Sequence, residues 1–504
     1  MANVLRTYTK DHGGRVSLLL LLFLLAIYEF ISAGFPAFAI ICISPLLVLF
    51  VLASFHYRMF VFWLLITINY FIQLKGLSLP IPMSLPNELF EILLIVLAII
   101  DVKNAHFERL GNMMFFALII WCGFCTLQVL NNTCDLGINV GPWYTGARMM
   151  AFQLMYAFIV FSLYIDKPQI LITYLCVWGA FALFAVFWVW KQQYVGFTEA
   201  ENIWINTRGR TTHILNAGTL IRYFSIYSDA ANFGIGIAST AVAFIIFGIT
   251  AKIKKYKYFF LLAGIACAWG MFPSGTRTAI ACFMAGMGTY IFLSKSVKIA
   301  IPFTIAFGLF VFMLVFTNIG NGNQQIRRMR TAFDKNDASA GVRTIHQQAM
   351  KKYMKDAPWG IGLGMAVENV PANNKYQKMA QIPPDSEYVF IWLRTGVIGI
   401  TLFLITTAIM FICACWIVMF TLKSPSLRGI GAGMCCAFVS IQLGGYGNQV
   451  LMQFPNCLVF YGGLTIVYVL PFIENEWIAY EKGVLDKQEE KKRLKLEKKK
   501  ASRV

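Results

Sequence analysis

Apolar runs dominate the chain, and polar residues fall between them. A helix that crosses roughly 30 Å of hydrocarbon needs about 20 such residues. Runs of this kind recur near 16–34, 36–55, 58–74, 87–100, 112–130, 148–165, 169–191, 229–250, 258–273, 277–293, 297–319, 397–420, 429–445 and 456–473. They amount to about fourteen candidate spans and predict an all-α, polytopic integral membrane protein. Longer polar stretches interrupt them at 131–147, 192–228 and, largest, 320–396. The expected organisation is a transmembrane bundle with external loops over 1–319 and a large, partly helical external loop over 320–396 that carries site residues. C-terminal transmembrane helices over 397–474 and a basic tail over 475–504 follow. No internal repeat is visible.

Composition supports the same class. Of 504 residues 58% are hydrophobic and only 13% charged, against about a quarter charged in soluble proteins, which excludes a cytosolic enzyme, a disordered chain and a nucleic-acid module. The formal charge of +19 arises from 43 Lys and Arg against 24 Asp and Glu. Alternate connections carry the basic residues: Lys10 and Arg15, Arg58, Lys103 and Arg109, Lys252 to Lys257, Lys295 and Lys298, Lys423 and Arg428, and the tail from Lys487. The positive-inside rule therefore puts both termini in the cytoplasm and the three long polar stretches on the other face. The tail reads as a solvated helix that meets anionic lipid. The 12 cysteines lie mostly within apolar runs, without metal-ligand or disulfide spacing.

Within the large loop, Asp337 to Asp356 has helical texture, with Val342, Ile345, Ala349 and Tyr353 on one face and Asp337 or Ser339 as cap. It should end before Pro358. A glycine-spaced turn follows over Trp359 to Gly364, suited to a close approach and not to dinucleotide binding, since no strand precedes it. Arg343 lies near the start of the helix, where the dipole mildly disfavours a cation. Arg277 follows Phe272 to Thr276 at the outer junction of two spans, where a charge needs a partner, water or a ligand; snorkelling is the alternative. Arg208, Arg210 and Arg222 share the preceding external stretch with His213. Guanidiniums converging from separate loops would suit a pyrophosphate, whose oxygens they bind bidentately. Asp385 or Ser386 would cap a helix after Pro384. Glu88 and Glu91, three apart after Pro86, read as interfacial carboxylates at a helix start.

Three segments in order resemble the bacterial O-antigen ligase and O-antigen polymerase family: SGTRTAI at Ser274 to Ile280, GVRTIHQQAMKKYMKDAPWGIGLG at Gly341 to Gly364, and DSEYVFIWLRTGVIG at Asp385 to Gly399. The resemblance is strongest over residues 200–400. It implies spans arranged as in the metal-independent C-type glycosyltransferases, with neither metal nor cofactor. It also implies a polyprenyl-pyrophosphate-linked glycan as donor, and transfer on the periplasmic side of the inner membrane to lipid A core or another lipid-linked glycan. Arg277 and Arg343 correspond to the arginines thought to engage the donor pyrophosphate. The third motif begins His-Asn in the commonest family form and Asp385-Ser386 here, so His213 and His346 stand as alternatives for acid/base work.

The mechanism expected is pyrophosphate binding by Arg277 and Arg343, with Arg210 and Arg222 assisting, and activation of the acceptor hydroxyl by Asp385 or Glu387. A polymerase would share this donor chemistry. A lipid-linked glycan transporter or flippase, the competing class, would carry ionisable residues deep in several spans; few are found, Glu29 being a clear candidate, and the charges gather at the outer edge instead.

Overall fold

A computed structural model describes residues 13–76, 84–215, 220–294, 297–319, 322, 327 and 338–501. It divides into two compact units, residues 1–64 and 65–504. Helices α1 (Gly13–Ala33) and α2 (Phe35–His56) belong to the first, and α3 (Arg58–Phe71) follows Tyr57. The second unit continues with α4 (Leu85–Ile100), α5 (Met113–Leu127), α6 (Val140–Ala147), α7 (Gln153–Tyr164), α8 (Pro168–Tyr194), α9 (Glu199–Thr207) and α10 (Arg210–His213). A two-residue antiparallel pair, β1 (Ile214–Leu215) with β2 (Leu220–Ile221), precedes α11 (Ala230–Thr250), α12 (Lys254–Gly270), α13 (Arg277–Leu293) and α14 (Val297–Phe316). Then come α15 (Ala338–Met354), α16 (Gln377–Ala380), α17 (Glu387–Trp416), α18 (Pro425–Gly447) and α19 (Asn456–Ala501).

Every apolar run identified in the sequence coincides with a helix, but the count of spans is lower than about fourteen. Among the described residues seven helices are long and apolar enough to cross a membrane, or up to eight if the pair bent by 117° at Tyr57 is one span. Part of the difference is length: α3 has 14 residues, α4 has 16 and α13 has 17. At about 1.5 Å per residue these fall short of roughly 30 Å.

Helix starts follow local chemistry. Asn112 accepts from the amides of Met114 and Phe115 at the head of α5, and Asp229 from Ala231 and Asn232 at the head of α11. Thr198 and Glu201 form a reciprocal capping box at α9. Helix α11 is buried on nearly every face, packing on α12, α18 and α13, while α18 also packs on α19. That bundle is the scaffold of the second unit.

The 338–396 region has a small core of its own, in which Met350, Met354, Ile361, Tyr376, Met379 and Leu393 cluster with Cys134. Its first helix turns a different face inward from the one expected. Val342 and Ile345 are 48% and 65% exposed, whereas Met350 and Met354 are buried and Arg343, His346 and Tyr353 half-buried. Methionines one turn apart reach that core, and the two β-branched residues lie on the opposite side. Asp337 lies outside the described residues.

The glycine turn then meets the kinked start of α17. Ile361 and Gly362 donate to the carbonyls of Leu393 and Arg394, at 2.9 and 3.0 Å. Gly396 has φ 70° inside α17, and a Cβ there would overlap the Pro358 carbonyl oxygen. Gly364, at φ 72°, lies so close to Pro142 that a Cβ would overlap its carbonyl. These left-handed, closely packed positions admit only glycine without strain.

Candidate functional site

The turn before α13 is built from the segment Met271 to Thr276. Ser274 Oγ donates to the Met271 carbonyl at 2.6 Å and accepts from the Thr276 amide at 3.1 Å, with Gly275 left-handed between them. Thr276 Oγ1 donates to the Ala230 carbonyl at 2.9 Å, fixing the turn on the head of α11. Arg277 is the first residue of α13 and is half-buried.

Arg222 braces the same turn. Its Nε, Nη1 and Nη2 donate to Ser274 O, Thr212 O and Thr276 Oγ1 at 3.2, 2.9 and 3.0 Å. All three guanidinium nitrogens thus hold protein atoms, and the residue positions the turn that presents Arg277. Arg210 is exposed at the first position of α10. His213 is buried, and its Nε2 accepts from the Ala230 amide at 3.0 Å, while Nδ1 lies 3.2 Å from the Gly209 carbonyl. Burial, together with the Arg222 guanidinium, pushes its imidazole down to about 4. It is a neutral, hydrogen-bonded structural residue.

On α15, Arg343 and His346 are three residues apart and share a half-buried face. His346 Nδ1 lies 2.9 Å from Asp385 Oδ2, across 39 positions of sequence. Asp385 therefore does not cap α17. Ser386 occupies the N-cap position without a capping bond, and its Oγ donates to the Gly445 carbonyl at 3.1 Å. Glu387 is buried, and its Oε2 accepts from the Leu451 amide at 3.0 Å.

These contacts point to a segment that sequence reasoning passed over: the connection between α18 and α19, residues 448–455. Asn448 Nδ2 donates to Thr278 Oγ1 at 3.4 Å, and the next residue, Gln449, donates through Nε2 to the Pro384 carbonyl. Upstream, the Gln442 carbonyl accepts from Tyr388 OH at 2.9 Å. One short connection thus holds the residue after Arg277 and the residue before Asp385. Its signal in the sequence is the density of side-chain amides, Asn448, Gln449 and Gln453, between two apolar runs.

Glu88 and Glu91 lie inside the protein and not on its surface. Both are 1% exposed, because the face of α4 that carries them packs on α7. Glu88 Oε2 lies 3.4 Å from Arg148 Nη1 and Oε1 accepts from Tyr144 OH at 3.2 Å, while Arg148 Nη2 donates to Ser84 Oγ at 2.9 Å. Arg148 opens a π-helical turn, Arg148–Phe152, between α6 and α7.

The fold defines a multi-pass, all-α membrane protein whose polar side chains gather where the 338–396 region meets the ends of α13, α17 and α18. Residues 260–404 match the O-antigen ligase family model, which supports the resemblance of the three motifs. All three lie within the matched stretch. No curated protein matches the chain. The match supports a glycosyltransferase-type role in O-antigen assembly for this multi-pass bacterial membrane protein.

Proposed function

We propose that the protein transfers a glycan from a polyprenyl-pyrophosphate carrier to an acceptor hydroxyl outside the inner membrane, as an O-antigen ligase does with lipid A core. The observation that carries this reading is the His346–Asp385 pair at 2.9 Å, with Arg343 one turn earlier on the same helix face. An ionised carboxylate only accepts hydrogen bonds, so Nδ1–H of His346 donates to Asp385, which leaves the Nε2 lone pair as the base. Asp385 then orients the ring, and His346 takes the acid/base role that the sequence assigned to Asp385 or Glu387.

The acceptor hydroxyl oxygen attacks the anomeric carbon, and its proton passes to Nε2 of His346. The bond from that carbon to the pyrophosphate oxygen breaks, and its electron pair stays on the departing diphosphate. Inversion at the carbon follows from a single displacement. Arg277 and Arg343 stabilise the growing negative charge, which fixed guanidiniums do better than water because they are already oriented. Arg222 supports Arg277 through the turn it braces, and Glu387 holds the 450–452 backbone.

The test is transfer by the purified full-length chain in lipid, from a defined polyprenyl-pyrophosphate glycan to a lipid A core acceptor, with the new glycosidic bond detected by mass spectrometry. Movement of the glycan across the bilayer with no new bond would instead indicate a transporter.

A further inference from the structure

A cavity of about 270 Å³ opens between the π-helical turn before α7 and the α18–α19 connection. One wall carries Ser84 and Gln153, and the other carries Glu387, Gln449 and Gln453, with Phe390 among the apolar groups between them. Gln153 is 4% exposed, and its Nε2 has no hydrogen-bond partner among the described residues. A buried amide donor without a partner carries its full desolvation penalty uncompensated. Buried polar groups are nearly always partnered, so an orphaned one calls for an explanation.

The backbone behind Gln153 is built for that wall. Extra residues in a π turn redirect the side chains that follow, and such turns recur at functional sites. Here Glu88 and Ser84 anchor Arg148 at the head of the turn, and Gln153 is the first residue after it. The opposite wall is joined to the reaction centre: Gln449 bonds the carbonyl before Asp385, and Glu387 stands two residues after it.

The lining is amide, hydroxyl and carboxylate on apolar flanks, with no Lys, Arg or His among its residues. A phosphate group would enter it without a counter-charge. A sugar ring matches it, since hydroxyls both donate and accept while the ring's C–H face packs on Phe and Met. Small-molecule pockets span about 300–1,000 Å³, so this one holds a single ring and not a chain. We propose that this cavity is the subsite for one uncharged pyranose at the point of transfer, with Gln153 as a hydrogen-bond donor to it. The proposal rests on the glycan-transfer reading above. It assigns sugar recognition to Ser84, Gln153, Gln449 and Gln453, all outside the matched 260–404 stretch.

The experiment compares wild type with Gln153→Leu, which keeps the volume and removes the donor, and with Gln453→Leu as a second variant. Each full-length protein is assayed for transfer while donor and acceptor are varied in turn. It is also assayed for thermal stabilisation by the free oligosaccharides released from donor and acceptor. The expected result is a rise of about tenfold in KM for one substrate, the cost of one lost hydrogen bond. kcat should hold within about twofold in both, and Tm should not fall in Gln153→Leu, since the unpaired buried amide is gone. A rise for the acceptor places the acceptor sugar in the cavity, and a rise for the donor places the donor sugar there. Unchanged KM for both, or a lowered Tm in both variants with kcat lost, overturns the proposal. If wild type transfers nothing yet the free oligosaccharide stabilises it and not the variants, the transfer reading falls and the sugar subsite stands.

Discussion

His346 and Asp385 face each other at 2.9 Å from two different elements, the inner face of α15 and the residue before the N-cap of α17. The pair is held from both sides. Behind His346, Met350 and Met354 anchor α15 in the core of the 338–396 region, and behind Asp385 the Gln449 amide and the Gly445 carbonyl fix Pro384 and Ser386. A general base contributes typically 10²–10⁴ to the rate.

His346→Ala should therefore lower kcat for glycan transfer by about 10²–10⁴. Asp385→Asn should lower it by a comparable factor, since an amide can donate and so favour the wrong imidazole tautomer. The donor KM should move little in either variant. Steady-state rates with a defined lipid donor check this, and wild-type turnover in Asp385→Asn would remove the pair from the mechanism.

Arg277→Ala and Arg343→Ala should each lower kcat/KM by about 10²–10³, the usual loss when one preorganised donor to a developing oxyanion is removed. Arg343→Lys keeps the charge and loses the fork, so it should remain well below wild type. If the lysine variant works as well as wild type, charge alone matters at that position.

Gly396→Ala and Gly364→Ala should each destabilise the 338–396 region by at least about 2 kcal/mol, combining a left-handed backbone with overlap against a carbonyl oxygen. Protease sensitivity of that region in the intact, lipid-embedded protein reads the effect. Gly341→Ala, where a Cβ would meet nothing within contact distance, is the matched control.

The pH dependence follows from His213. Its imidazole is depressed to about 4 in the folded protein, against about 6.5 in the unfolded chain. Between those values the unfolded state binds more protons, so stability is full above about pH 6.5 and is lost progressively as pH falls to about 4. The loss is at most about 3 kcal/mol. Thermal denaturation across that range should show it, and His213→Gln should flatten the profile.

Sequence alone determined the class of protein and the helical elements. A run of apolar residues must satisfy its backbone internally once it leaves water, so each run became a helix. The three motifs were legible for the same reason, as polar or glycine-rich breaks in an apolar text. Tertiary structure decided which of those breaks meet. Asp385 finds His346 and not a helix amide. Arg222 bonds the turn before Arg277, and Glu88 is buried against Arg148. Asn448 and Gln449, which fell in a plain connection, tie the elements of Arg277 and Asp385 together. Local periodicity reports only neighbours within a turn or two, whereas these partners are brought together by packing among α13, α17 and α18, and that packing depends on the whole bundle.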